Sequence, residues 1–174
     1  MKFEFKDGLN RYLAQANAKV KSLEDVIRFN KENEAKAMPF FKQEILEASQ
    51  SVAGLDSKAY KTALTKLLTT RGIIDSLFKQ HSLDTICGPA NGPSWCIDMI
   101  NGDFFTGYGT YSPAAIAGYP SVTLPMGTVF GLPIGLSFIG KAFGEAELLA
   151  IAYSYEQVSK NRVAPKFVKT AGVL

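Results

Sequence analysis

The chain has 174 residues, of which 47% are hydrophobic and 20% are charged. These proportions are typical of a globular protein, so they argue against global disorder and allow one domain with a hydrophobic core. The net charge is +3, but lysine and arginine are scattered among aspartate and glutamate. Nucleic-acid-binding proteins concentrate basic residues on one face or helix, so the charge pattern argues against that function.

Cysteine and histidine are too few and too dispersed to predict a metal site. Cys87 and Cys96 do not form a CxxC pair, and His81 is the only histidine, so we expect two reduced thiols and no metal or other cofactor. Reduced thiols make the cytoplasm the default location. No apolar run approaches the ~20 residues of a membrane span, and residues 1–6 do not resemble a signal peptide. A signal in a longer chain would lie outside this sequence.

Residues 1–80 are predicted to be mainly helical. Ser22 is a suitable N-cap, and Glu24 and Asp25 follow it in the first turn, where the helix dipole favours acids. Ser57 is a second candidate cap. The helices after these two serines are expected to bury Leu23, Val26, Ile27 and Asn30, and Tyr60, Ala63, Leu64, Leu67 and Leu68, respectively.

Residues 81–174 have a different pattern, which predicts strands, a long loop and a covering helix. Strands are expected at 83–87, 121–125 and 134–139, with a turn at 127–133. Between the first two strands lies a loop rich in glycine, proline and aromatic residues, followed by a short helix at 113–117. The last helix, 145–160, is expected to face inward with Leu148, Leu149, Ala152, Tyr155 and Val158. Strands with covering helices indicate an α/β fold.

This second part resembles the C-terminal region of the amidase signature family. The resemblance rests on LDTICGP at 83–89, SPAAIAGYPSVTLP at 112–125, GLPIGLSFIGKAF at 131–143 and EAELLAIAYSYEQ at 145–157. It implies that residues 1–174 are a single domain or a fragment. The fold would then be the C-terminal portion of the family's α/β/α sandwich, a mixed sheet covered by helices.

The same resemblance implies cofactor-free amide chemistry. The family uses a serine nucleophile, a second serine at a cis peptide bond and a neutral lysine base, all in the N-terminal part of its domain. Nothing here matches that segment. Gly135 to Ser137 approaches a Gly-x-Ser-x-Gly elbow, but Ile139 replaces the final glycine. We therefore interpret Ser137 as structural and His81 as a cap or surface residue, and we expect no catalytic residue and no turnover by this chain alone.

In the family, the loop after the first of these strands helps to wall the substrate pocket. Aromatic side chains in this loop could line an apolar site or could pack the loop onto the sheet. Asp98 and Asp103 could form a carboxylate pair, but capping of local N–H groups is the favoured interpretation. Ser112 is expected to cap the helix that begins near Pro113. The predicted pocket residues are Trp95, Asp98, Phe104, Tyr108, Tyr111 and Ser112.

One departure from the family pattern concerns the substrate. In the glutamine-using branch, the amidotransferase subunits that act on charged tRNA, an acidic residue lies five positions before the proline that matches Pro113. This residue holds the amino group of glutamine. Here the position is Tyr108, which is neutral at pH 7. The resemblance therefore favours an uncharged or apolar small-molecule amide over glutamine.

Two functions remain open from the sequence. The chain could be the C-terminal, pocket-forming part of an amidase, or a truncated relative that binds a ligand or partner without catalysis. In either case, strands that pair with another segment in the family would leave an open sheet edge. We therefore expect self-association through that edge, and no nucleic-acid or membrane partner.

Overall fold

The structure is a computed structural model that describes residues 1–105 and 109–165. It contains seven helices and three strands within these residues. The chain divides into two compact units, Met1–Lys66 and Leu67–Leu174, and the boundary falls within a long helix. No helix in the described ranges is both long enough and apolar enough to cross a membrane.

The first unit is built from short helices. They are α1 (Lys2–Gln15), α2 (Leu23–Glu32), α3 (Glu34–Ala37), α4 (Glu44–Gln50) and the start of α5 (Lys58–Gln80). Ser22 caps α2 as predicted, because its side chain accepts a hydrogen bond from the Asp25 amide at 3.1 Å. Ser57 likewise accepts a hydrogen bond from the Tyr60 amide at 3.3 Å, just before α5.

Packing in the first unit depends on a buried amide as well as on apolar contacts. Gln43 is buried; its side-chain N–H donates to the Ile27 carbonyl and its oxygen accepts from Asn30, each at 3.0 Å. The Lys6 side chain donates to the carbonyl of Gln50, the last residue of α4, and to that of Val52, which follows the helix. Of the residues expected to be inward, Leu23 and Ile27 are buried, whereas Ala63 and Leu68 are exposed, which contradicts the prediction for those two.

The second unit contains the sheet. Its strands are β1 (Ile86–Pro89), β2 (Ser121–Val129) and β3 (Leu132–Ile139), in the order β1-β3-β2. Both pairings are antiparallel, so the mixed pairing expected for the sheet does not occur among the three described strands. A small core of Ile74, Phe78 and Ala117 lies beside this sheet, with Leu83, Ile86 and Tyr119 packed around it.

The hairpin between β2 and β3 corrects the predicted turn at 127–133. The strands continue to Val129 and resume at Leu132, so only Phe130 and Gly131 form the turn. Their φ angles of +50° and +77° are those of a two-residue turn that suits the strand twist. Gly127, which suggested a turn, instead lies at a register shift between Pro125 and Gly127.

Helix α6 (Tyr111–Ala117) precedes β2, and α7 (Glu145–Ser159) covers the sheet. Leu148 and Ala152 of α7 are buried, and the Tyr155 ring meets Phe138 of β3 edge-on with centroids 5.5 Å apart. Leu149 and Val158 are 60% and 87% exposed, so the prediction that they face inward is wrong. The buried face of α7 is therefore narrower than its apolar composition suggested.

Candidate functional site

The pocket loop, residues 90–110, leaves β1 and returns to the same end of that strand; residues 90–105 and 109–110 of it are described. At its start, the Ala90 amide donates to the Gly135 carbonyl at 2.7 Å. At its end, the Thr110 amide donates to the Pro89 carbonyl at 3.1 Å. The Thr110 hydroxyl lies 3.0 and 2.9 Å from the carbonyl oxygens of Gly88 and Pro89. Both ends of the loop are thus fixed to β1 and β3.

Two glycines permit this close approach. A Cβ atom at Gly88 would lie 2.4 Å from the Thr110 methyl carbon, and one at Gly109 would lie 2.6 Å from the Ala90 carbonyl oxygen. Both distances are too short for non-bonded atoms, so a side chain at either position would force the loop away from β1. The glycines explain why the loop can close against the strand that it leaves.

Trp95 makes two contacts with other residues of the pocket loop. Its indole N–H donates to the Asp103 carboxylate at 3.3 Å, and its ring meets Phe105 edge-on with centroids 6.1 Å apart. Trp95 is half-buried, whereas the neighbouring Phe104 is 76% exposed. In this structure, therefore, Trp95 packs within the loop, whereas the ring of Phe104 is exposed.

Asp98 organises a tight turn next to this contact. Its carboxylate accepts from the amides of Ile100 and Asn101 and from the Asn101 side chain, each at 2.8 Å. The Asn101 amide, the Asn101 side chain and then the Ile100 amide hold the pKa of Asp98 below its ordinary value. Asp98 and Asp103 thus have separate partners, and Asp98 has the N–H-capping geometry favoured from the sequence.

Tyr111 and Ser112 lie at the start of α6. The helix begins at Tyr111 with Thr110 as its N-cap, and no side chain caps it. The prediction that Ser112 caps α6 is therefore wrong, because the helix begins ahead of Ser112 and places this half-buried residue in its first turn. Tyr111 is 46% exposed, and its ring borders Gly109.

Tyr108, the remaining predicted pocket residue, lies outside the described residues. Its proposed relation to substrate choice stays a prediction.

Three apolar side chains of the loop were not singled out from the sequence. Ile97 and Ile100 are 86% and 91% exposed, and Met99 is 43% exposed. Large apolar residues in a loop rich in glycine and polar residues were the available signal.

Ser137 and His81 are the two residues that were weighed as possible catalysts from the sequence. Ser137 is 1% exposed, and its hydroxyl pairs with that of Thr123 at 2.7 Å, which agrees with the structural interpretation. His81 is exposed directly after α5. Among the described residues, no group of three or more histidine, cysteine or acidic side chains could hold a metal ion.

Comparison with known proteins gives a consistent family. The sequence model of the Amidase family matches residues 2–149. A probable amidase from Arabidopsis thaliana is 34% identical over 169 residues, which are 95% of this chain and 30% of that protein. A glutamyl-tRNA(Gln) amidotransferase polypeptide from Clostridium botulinum is 33% identical over 150 residues, which are 80% of this chain and 30% of that polypeptide.

Two solved structures of amidases are also similar to this chain. The native peptide amidase from Stenotrophomonas maltophilia is 40% identical with a TM-score of 0.86, over 95% of this chain and 34% of that one. An amidase family protein from Bacillus anthracis is 32% identical with a TM-score of 0.74, over 95% and 30% of the two chains. The chain thus spans about a third of the length of the proteins that it matches.

The helix-covered sheet and its fixed loop define an α/β protein, as predicted, with the fold found in amidases. The chain belongs to the amidase signature family, which confirms the resemblance seen in its sequence.

Proposed function

We propose that this chain is the C-terminal, substrate-pocket-forming part of an amidase that hydrolyses the carbon–nitrogen bond of an uncharged or apolar amide. The observation that carries the proposal is the match of nearly the whole chain to about a third of several amidases. The pocket loop suits such a role, because it presents exposed apolar side chains from a base fixed to β1 and β3.

Bond cleavage is assigned to residues outside this chain. The serine, second serine and lysine implied by the family resemblance belong to the N-terminal part of the domain, for which no match exists in these 174 residues. Ser137 is buried and paired with Thr123, so an incoming carbonyl carbon could not reach its hydroxyl. We therefore expect the isolated chain to have no amidase activity.

Two observations support an uncharged substrate. Tyr108 occupies the position where the glutamine-using branch carries an acid, and a neutral phenol cannot balance the ammonium group of glutamine. In addition, two solved structures that are 40% identical to this chain are of a peptide amidase, one of them in complex with the competitive inhibitor chymostatin. A peptide with an amidated, uncharged C-terminal residue is therefore the first substrate to test.

A chimeric enzyme tests this proposal. In it, the chain replaces the matching third of the Stenotrophomonas maltophilia peptide amidase, and kcat/KM is measured for a peptide amide and for glutamine. We expect the peptide amide to be strongly preferred. Tyr108→Glu should move the ratio toward glutamine by about tenfold or more, because a charge-assisted hydrogen bond contributes about 1.5–3 kcal/mol.

The control is Tyr153→Glu, which introduces the same charge at a 63% exposed position of α7. It should leave the ratio unchanged. A chimera that prefers glutamine, or a ratio that responds equally to both substitutions, would contradict the assigned substrate class. A folded chimera without activity on any amide would contradict the pocket-forming role itself.

A further inference from the structure

The side chain of Thr110 does not make the bond that a threonine at the start of a helix usually makes. An N-cap threonine ordinarily accepts a hydrogen bond from an amide of the first helical turn. Thr110 is the N-cap of α6, but its side chain makes no such bond. Its hydroxyl instead lies 3.0 and 2.9 Å from the carbonyl oxygens of Gly88 and Pro89, the last two residues of β1. The hydroxyl therefore joins the start of α6 to the sheet and does not stabilise the helix itself.

The amide and the methyl group of Thr110 are held at the same place. The amide donates to the Pro89 carbonyl at 3.1 Å. The methyl carbon occupies space that a side chain at Gly88 would need, since a Cβ atom there would lie 2.4 Å from it. The hydroxyl has a single proton, so it donates to one of the two carbonyls at a time. Together the three groups fix both the position and the orientation of Thr110 against β1.

The residues next to Thr110 depend on this position. Tyr111 and Ser112, two of the predicted pocket residues, follow it directly in the first turn of α6. The Tyr111 ring also stands against Gly109, where a Cβ atom would lie 2.8 Å from a ring carbon. The bonds of Thr110 to β1 therefore determine where Tyr111 and Ser112 stand relative to the sheet.

The far end of α6 is held separately. The Arg71 guanidinium donates to the carbonyl of Ala117, the last residue of α6, at 2.7 Å. Just beyond the helix, the Tyr119 hydroxyl donates to the Asp75 carboxylate at 2.7 Å. Arg71 and Asp75 lie on α5 within the same compact unit as α6. Loss of the Thr110 hydroxyl would therefore displace the start of α6 while its end stays in place.

We propose that Thr110 is a positioning residue for substrate binding. Its hydroxyl holds the end of the pocket loop against β1 and so places Tyr111 and Ser112 beside the substrate. This inference rests on the proposed function, in which these two residues border the pocket. Thr110 acts through its neighbours and touches no reacting atom, so its loss should weaken substrate binding and leave the chemical step unchanged.

Substitutions at two threonines separate this role from a purely structural one. Thr110→Val removes the hydroxyl and keeps the methyl group and the branched shape, whereas Thr110→Ser keeps the hydroxyl. Thr85→Val is the matched control. Thr85 is also half-buried, and its hydroxyl donates to the Ile139 carbonyl at 2.9 Å, at the opposite end of β1 from the pocket loop. Both valine variants lose one hydroxyl–carbonyl bond, so both should lose a similar amount of stability.

The kinetic test uses the chimeric peptide amidase described above, with KM and kcat measured for a peptide amide. We expect Thr110→Val to raise KM by about threefold to tenfold, the factor that one neutral hydrogen bond contributes, with kcat within about twofold. Thr110→Ser should restore KM to within about twofold of the unchanged chimera. Thr85→Val should leave KM within about twofold as well, although it removes the same kind of bond.

Hydrogen exchange in the 174-residue chain tests the contact without any catalysis. The Thr110 amide exchanges when the loop end leaves β1, so its protection measures how often that end opens. After correction for intrinsic rates, Thr110→Val should lower protection of the amide at position 110 by about threefold to tenfold. Thr110→Ser and Thr85→Val should retain it.

Equal rises of KM in the two valine variants would overturn the proposal, because KM would then follow stability. An unchanged KM in Thr110→Val despite lower protection at position 110 would also overturn it. A folded chimera that hydrolyses no amide counts against the proposed function, and the Kd of the peptide amide then replaces KM. A rise of Kd confined to Thr110→Val would still support the positioning role, and an equal rise in Thr85→Val would contradict it.

Discussion

At the scale of single residues, the hydrogen-bond partners of Asp98 decide between the two roles considered for it from the sequence. The sequence left open a carboxylate pair with Asp103 or local capping. In the structure, Asp98 accepts three hydrogen bonds within its own turn, while Asp103 accepts from Trp95. A side chain so engaged shapes the turn that contains Ile100 and Asn101.

Asp98→Ala should loosen this turn. Without the carboxylate, the amides of Ile100 and Asn101 lose their acceptor, so their hydrogen exchange should become faster by about tenfold, as for the loss of a charge-assisted bond. Asp103→Ala is the control, because its carboxylate bonds the indole and not these amides. Unchanged exchange in Asp98→Ala would show that the backbone alone sets the turn.

The turn should also respond to pH in a defined direction. The folded pKa of Asp98 lies below the ordinary value of 3.8. The ionised carboxylate therefore contributes its full stabilisation of the turn above pH 3.8. That stabilisation is lost as the pH falls through the lower pKa of the folded state. Exchange protection of the Ile100 and Asn101 amides, after correction for intrinsic rates, should persist at pH 3.8. Loss of protection at or above that pH would contradict this assignment.

At the scale of elements, the starts of α2 and α5 were predictable, whereas the start of α6 and the roles of glycines were not. Ser22 and Ser57 cap their helices because an N-cap depends on a few neighbouring residues. The turn at 127–133 was misplaced because Gly127 belongs to an irregular strand pairing, which depends on a partner strand elsewhere in the chain. Local sequence does not distinguish a glycine of this kind from one in a turn.

Alanine substitutions at two glycines distinguish a glycine that permits a close contact from one in open space on a helix. Gly88→Ala should destabilise the fold by about 1–3 kcal/mol, because its Cβ would meet Thr110, which three hydrogen-bond contacts hold in place. Gly72→Ala, within α5 and with nothing within 4 Å of its Cβ, should stabilise by about 0.5–1 kcal/mol. Urea unfolding followed by circular dichroism measures both. Similar effects of the two substitutions would contradict the close approach of Thr110 to β1.

At the scale of the whole molecule, the sequence was sufficient for the family and the fold class. The motifs from residue 83 onward lie in the consecutive elements β1, α6, β2, β3 and α7, which together form the sheet and its covering helices. The sequence was insufficient for the buried face of α7, where Leu149 and Val158 are exposed. Apolar periodicity identifies a helix that packs, but it does not show which neighbours are present to cover each face.

The composition of residues 88–112 predicted a long, functional loop, and the family resemblance implied that it walls a pocket. The contacts within this loop could not be predicted. The position of the loop's first end depends on a long-range anchor, the Ala90–Gly135 hydrogen bond, and the closure of its two ends depends on the bonds of Thr110 to β1. These anchors join residues far apart in the chain, so no local pattern predicts them.

We propose that this chain shapes a substrate pocket and leaves bond cleavage to residues elsewhere. The purified chain is assayed for ammonia release from an amidated peptide. We expect no turnover above the rate without enzyme and no adduct with a serine-directed reagent. Turnover that such a reagent abolishes, and that is absent from Ser137→Ala, would instead place the nucleophile within these 174 residues.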